Sequence, residues 1–401
     1  MTRSRFGILA FTAIVLSALN LRTAVASLSP LIDAIGAEIP LSASILSVLG
    51  MLPPLCFAIG ALATPLITHR IGIDKAMLFS LTALALALAL RGGAVHSPML
   101  IAASALTFTA LGVMNVLMPA LVKAHFPHRI GLVTTVYVTL MSVGTFLPPL
   151  ISHPIEQRWG WRVSLGQWAL LALIGALVWL TLTARQPRTT GHAALPLPRR
   201  PATVRWSNPI LWGVIALCAG PGFIAYALFL WLPPMLHDLI GASATTSGTL
   251  LALYAAMGTP AGLVVPVIAA RTQRSGLLIV AGGLFFVAGF AGFLTVPASA
   301  PWLWASLTGM GQMLFPLSLT LIALRTRTVE GAVWLGSASQ SIAYTIAATG
   351  PLLMGAVMVL TGSWAPSLIA MIVVAVLTVG IGLLAAPRRF LEDSPTLRGE
   401  R

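Results

Sequence analysis

The stretch Gly7-Ile-Leu-Ala-Phe-Thr-Ala-Ile-Val-Leu-Ser-Ala-Leu-Asn20-Leu21-Arg22-Thr23-Ala-Val-Ala26 decides how the chain is read. About twenty apolar residues in a row are what a helix needs to cross a ~30 Å hydrocarbon core. One charge, Arg22, stands inside the run. A charge at mid-bilayer costs roughly 2.5–3.5 kcal/mol on insertion scales, so an arginine kept there marks a site by default.

Such runs recur. The chain is 58% hydrophobic and 8% charged over 401 residues, against about 25% charged in ordinary soluble domains. Twelve membrane spans are expected, near 7–32, 43–68, 76–95, 99–121, 130–152, 164–184, 208–235, 243–270, 276–296, 301–323, 331–358 and 364–386. With a cytoplasmic amino terminus, 23 Lys and Arg sort almost completely to the cytoplasmic side. Only Arg91, Arg158 and Arg162 fall outside and only Arg22 within the membrane. This is the positive-inside pattern. The net charge of +14 is therefore a topology signal, and nucleic acid is not an expected partner. An even number of spans places both termini in the cytoplasm.

Met1–Ala26 imitates a secretory signal peptide, with a basic start, an apolar middle and small residues at its end. Cleavage would leave eleven spans and put the basic loops on the wrong side, so the segment reads as the first span. Cys56 and Cys218 lie inside apolar runs and form no paired framework.

A Pro/Arg-rich stretch, 185–207, cannot bury a core and reads as a cytoplasmic linker. It separates two six-helix halves, 1–184 and 208–386, followed by a cytoplasmic tail, 387–401. The halves echo each other. Gly112-x-x-Asn115-x-x-x-Pro119 matches Gly309-x-x-Gln312-x-x-x-Pro316 at an offset of 197, and Pro65 to Arg70 matches Pro266 to Arg271 at 201. Two six-helix halves in parallel repeat are the layout of the major facilitator transporters, whose substrate site lies near the midplane. The loop His69-Arg70-Ile71-Gly72-Ile73-Asp74-Lys75 fits their short gating turn, and equally a positive-inside turn. The expected fold class is thus an all-α polytopic membrane protein with twelve transmembrane helices in two pseudo-symmetric halves.

Several stretches together resemble the cyanate and 2-nitroimidazole transporter branch of that superfamily. They are Leu19-Asn20-Leu21-Arg22 with Ser29-Pro30-Leu31, Phe126-Pro127-His128-Arg129-Ile130-Gly131-Leu132, Trp231-Leu232-Pro233-Pro234, Phe315-Pro316-Leu317 through Leu324-Arg325-Thr326, and Gln340 through Tyr344 to Gly350-Pro351. The resemblance runs almost end to end. It implies a small anion or small polar organic solute as substrate. The expected setting is the inner membrane of a bacterium, with the chain complete as a monomer.

Arg22 leads the candidate site residues. Its guanidinium stays protonated and offers five donors in a planar fork, suited to a small anion. The alternative is a structural arginine satisfied by helix carbonyls. Asn20 points about 200° away on the same helix, so it faces the cavity only if the helix breaks and otherwise bonds a neighbour. Gln340 and Tyr344 share a face at i, i+4, as ligand donors or as inter-helix glue. Asn115 and Gln312 are repeat-equivalent, lining the pseudo-symmetry axis or satisfying the carbonyl freed by the proline four residues on. Tyr226 is a further cavity candidate. Trp231 reads as an interface anchor, and His153 and His237 as helix-end histidines.

No metal cluster, phosphate loop, dinucleotide-binding loop or nucleophile elbow is present, so neither cofactor nor enzyme activity is expected. All nine acids fall in expected loops or tails. A proton symporter usually titrates a buried carboxylate, and none is offered. Arg22 then stands as a cation without a membrane-embedded acid. The expectation is facilitated uptake, anion exchange or export, with efflux of drug-like compounds and a structural Arg22 as the alternative.

Overall fold

The computed structural model describes residues 3–41, 43–185, 206–272 and 274–393. Most of the expected linker, 186–205, and the end of the tail, 394–401, lie outside the described residues.

Among the described residues no strand occurs. The helices are α1 (Arg3–Ala26), α2 (Ile32–Glu38), α3 (Ala43–Ile71), α4 (Ile73–Gly92), α5 (Ser97–His125), α6 (Ile130–Gly166), α7 (Trp168–Arg185), α8 (Pro209–Ile240), α9 (Ala244–Ala256), α10 (Gly258–Thr272), α11 (Ser275–Thr295), α12 (Pro301–Gly311), α13 (Leu314–Leu324), α14 (Val329–Thr361) and α15 (Ala365–Gly382). Helix is what an apolar chain must adopt in lipid, where each backbone polar group has to be satisfied within its own segment. Eleven stretches among the described residues are long and apolar enough to cross a membrane. Ile130–Thr145, the front of α6, is a shorter apolar helix. It is the expected fifth span, and the back of α6 turns at Gly160, φ 81°.

The chain divides into two compact units. The first is Met1–Arg199 with Thr328–Ser341, and the second is Arg200–Arg327 with Ile342–Arg401. The front of α14 therefore packs with the first unit, although it follows the expected linker in sequence.

The repeat motif has a packing meaning in each unit. A Cβ at Gly112 would lie 2.7 Å from the Phe57 carbonyl oxygen, and one at Gly309 would lie 2.4 Å from that of Tyr254. Both glycines let two helices touch backbone to backbone, α5 on α3 in the first unit and α12 on α9 in the second.

Pro266 lies inside α10 as its repeat equivalent Pro65 lies inside α3, so of the repeat prolines only Pro119 and Pro316 act differently. α3 and α5 run unbroken through Pro65 and Pro119. The expected eighth and tenth spans are each broken: α9 gives way to α10 at Met257, three residues before Pro260, and α12 to α13 at Gln312–Met313, before Pro316. Both second pieces restart with proline in the first turn, where its missing N–H has no helical partner to lose.

Candidate functional site

Arg22 stands half-buried on α1. α6 approaches it at Gly144, where a Cβ would lie 3.4 Å from the Arg22 Cβ and 2.9 Å from the Leu19 carbonyl oxygen. A larger residue there would push the two helices apart. Arg22 has an interaction of its own within the protein, so it is not the unpartnered cation the sequence suggested. Asn20 is fully buried and turned the other way, as the 200° spacing requires. Its Nδ2 donates to the Leu16 carbonyl at 2.9 Å and to that of Leu171 on α7 at 3.4 Å. The structure thus separates these two candidates onto different faces of one helix.

Asn115 and Gln340 meet inside the first unit. Pro119 has no N–H to give the Asn115 carbonyl four residues earlier. The Gln340 Nε2 donates to that carbonyl at 3.4 Å. One turn earlier on α14, the Ser337 Oγ donates to the Ala61 carbonyl at 2.6 Å, and Ala61 stands four residues before Pro65. Two neighbouring side chains of α14 thus fill two carbonyls that prolines had freed, and α3 and α5 stay helical there. The Asn115 side chain folds back onto the Leu111 carbonyl at 3.0 Å. Ser337 escaped notice in the sequence, although its i, i+3 spacing to Gln340 was the available signal.

In the second unit the freed Gln312 carbonyl accepts from the Phe315 N–H three residues on, at 3.0 Å. The helix tightens there into a short turn instead of gaining an outside donor. The Gln312 side chain is released for other bonds. Its Nε2 donates to the Tyr254 hydroxyl at 2.5 Å and to the Pro221 carbonyl at 3.3 Å. Tyr254 is buried at the end of α9, so the two helix breaks meet through one polar contact. Sequence reading missed Tyr254, although it follows Phe57 by 197 positions, the offset that relates Gly309 to Gly112. Tyr226 is half-buried on α8 and Tyr344 buried on α14. Trp231 donates its Nε1 to the Pro351 carbonyl at 2.8 Å and fixes α8 to α14.

Three charges are not where the loop pattern put them. Asp74 and His125 form a buried pair, Oδ1 to Nε2 2.8 Å, with side chains 5% and 6% exposed. Asp74 sits in the first turn of α4 and His125 in the last turn of α5, the ends whose dipoles favour an acid and a cation respectively. The rings of Phe6 and Trp179 lie 6.2 and 6.3 Å from the imidazole. One acid is therefore buried after all, and the ground for setting proton coupling aside falls. Arg325, expected in a loop, is buried and donates to the Ala385 and Ala386 carbonyls and to the Ser275 hydroxyl. Burial and the neighbouring Arg388 charge pull its guanidinium below the ordinary value. Arg91, expected outside the membrane, is fully buried. The short Arg162–Glu38 bridge holds the Glu38 carboxyl below its usual range, chiefly through the hydrogen bond from Arg162. Among the described residues no group of three or more His, Cys, Asp or Glu could hold a metal ion.

A family model described as Major Facilitator Superfamily matches residues 10–348. The chain is 29% identical over 385 residues to the 2-nitroimidazole transporter of Escherichia coli (strain K12), covering 94% of this chain and 95% of that protein. It is 28% identical over 391 residues to the cyanate transport protein CynX of the same strain, covering 95% and 99%. In fold it matches the structure of the proton:xylose symporter XylE bound to 6-bromo-6-deoxy-D-glucose, with TM-score 0.76, 15% identity and 98% of each chain covered.

Proposed function

This chain belongs to the major facilitator superfamily, and from that premise we propose that it carries a small anionic or polar solute by alternating access, with Arg22 binding the anionic end. It is a multi-pass membrane transporter of a small solute and not an enzyme. The observation that carries the anion assignment is Arg22 itself, a fixed cation half-buried within the membrane span Phe6–Ala26. The relatives named for cyanate and 2-nitroimidazole support a solute of that size.

Arg22 pairs with the solute through its planar fork, and its charge offsets the cost of bringing an anion out of water. Gln312, Tyr226 and Tyr344 stay proposed as hydrogen-bonding residues for the solute. Asn20, Asn115 and Gln340 are spent mainly on neighbouring backbone, and their part is to hold helices in place.

The test is uptake of labelled cyanate, with formate and nitrite as competitors, into proteoliposomes. Arg22→Ala is expected to insert normally and lose transport at least tenfold. Arg22→Lys is expected to fail nearly as far, because an ammonium lacks the two-pronged geometry. Normal transport by a correctly inserted Arg22→Ala protein would overturn the assignment. The same vesicles with an imposed pH gradient read the coupling directly.

A further inference from the structure

Arg91 closes α4 at the end opposite to Asp74. Arginines at the ends of spans usually reach outward to water. Arg91 instead lies back into the first unit and is 0% exposed, in keeping with the lean of helical side chains toward the amino terminus of their helix. Its Nη1 donates to the Ala24 carbonyl at 2.7 Å. Ala24 is in the last turn of α1, where carbonyls lack helical partners and a cation is favoured. The guanidinium carbon lies 5.3 Å from the centre of the Phe108 ring.

Three donors of the fork are fixed by this anchoring and not used by it. Nε and Nη2 are buried and have no hydrogen-bond partner among the described residues. These nitrogens lie on one edge of the guanidinium, the edge that grips a carboxylate with two parallel N–H···O bonds. No carboxylate of the described residues pairs with Arg91. Two further polar groups of α5 share the condition: the hydroxyls of Ser104 and Thr107 are buried without a partner. Ser104 stands one turn before Phe108, on the helix face that carries the ring beneath the guanidinium. A buried cation with an open edge, stacked on a ring of the helix that also carries two unmatched hydroxyls, is the pattern an anion completes, since it supplies both the missing charge and the missing acceptors.

We infer that Arg91 is a second anion-binding residue: its Nε and Nη2 edge takes a small carboxylate-type monoanion inside the first unit, with the Ser104 and Thr107 hydroxyls as additional donors. This site is separate from Arg22 and stands whether or not Arg22 binds the transported solute. The anchoring bond to Ala24 ties its occupancy to the end of α1, two residues from Arg22.

The probe is carbon-14 formate, measured by equilibrium dialysis against the purified full-length protein at neutral pH. Arg22→Gln is expected to keep one saturable formate per chain. Adding Arg91→Lys, which retains charge and a donor for Ala24 but lacks the edge, is expected to abolish it. Ser104→Ala in the Arg22→Gln protein is expected to weaken formate about threefold to tenfold, and it serves if the lysine variant does not fold. The inference is overturned if Arg22→Gln binds no formate, or if neither Arg91→Lys nor Ser104→Ala changes what remains. An Arg22→Gln protein that transports normally yet loses formate with Arg91→Lys would sink the Arg22 reading alone.

Discussion

The two units join equivalent helix ends with different chemistry. In the first, Asp74 at the start of α4 meets His125 at the end of α5, 2.8 Å apart. In the second, Ser275 at the start of α11 meets Arg325, the residue after α13, at 3.4 Å. Ser275 follows Asp74 by 201 positions and Arg325 follows His125 by 200, close to the offsets of the sequence repeat. Duplication has kept the place of the joint and changed its content. The first joint is a buried carboxylate–imidazole contact. The second spreads one guanidinium over a hydroxyl and two carbonyls. Each loss there leaves other bonds standing.

That contrast fixes the largest expected effect. Asp74→Ala removes the carboxylate from this buried contact and should lower stability by about 1.5–3 kcal/mol, the scale of a hydrogen bond to a charged group. Ser275→Ala removes one of several bonds and should cost about 1 kcal/mol. Denaturant titration of the two purified variants measures both. Equal losses would mean that the joints are energetically alike despite their chemistry.

The prolines give the second contrast. Ser337 and Gln340 donate to carbonyls freed by Pro65 and Pro119, so each side chain should matter only while its proline is present. Ser337→Ala and Gln340→Ala are each expected to cost about 1–2 kcal/mol, the serine more because its bond is shorter. In Pro65→Ala and Pro119→Ala backgrounds the restored N–H satisfies the carbonyl, and most of that cost should vanish. Double-mutant cycles read this coupling. Additive effects would show that the side chains are not caps.

Much of this was legible in the chain. The twelve apolar runs, the repeat and Arg22 follow from hydropathy, charge sorting and spacing. Asn115 and Gln312 were visible as equivalents, and their proline-linked alternative was stated from sequence. Their divergence was not visible. It depends on whether a residue more than two hundred positions away, Gln340 for Asn115, brings a donor. Asp74 read as a loop acid because its partner is 51 residues off. Arg91 read as an outside charge because a run of letters fixes where a backbone ends and not which way its last side chain lies.

A smaller effect tests the second unit by itself. The Gln312 amide bonds Tyr254 and Pro221, while its own freed carbonyl is already served by Phe315. Gln312→Ala and Pro316→Ala should therefore couple by less than about 0.5 kcal/mol. Coupling as large as that of Gln340 with Pro119 would erase the difference between the units.

The smallest effect is one on which the units should agree. Each has an exposed arginine–carboxylate bridge, Glu38 with Arg162 and Asp393 with Arg327. In both, the hydrogen bond from arginine is the main cause that holds the carboxyl below its ordinary value, 4.5 for Glu38 and 3.8 for Asp393. A carboxyl lowered in the folded state stabilises it above the unfolded pKa, and that contribution is lost as pH falls through the folded one. The window therefore opens below about pH 4.5 and closes below the lowered values. Solvent and salt screen such exposed pairs. Melting temperature against pH should show a slight acid-side decline that Glu38→Gln and Asp393→Asn each reduce and that high salt removes. A decline that persists undiminished in the double variant would show that these two bridges are not its source.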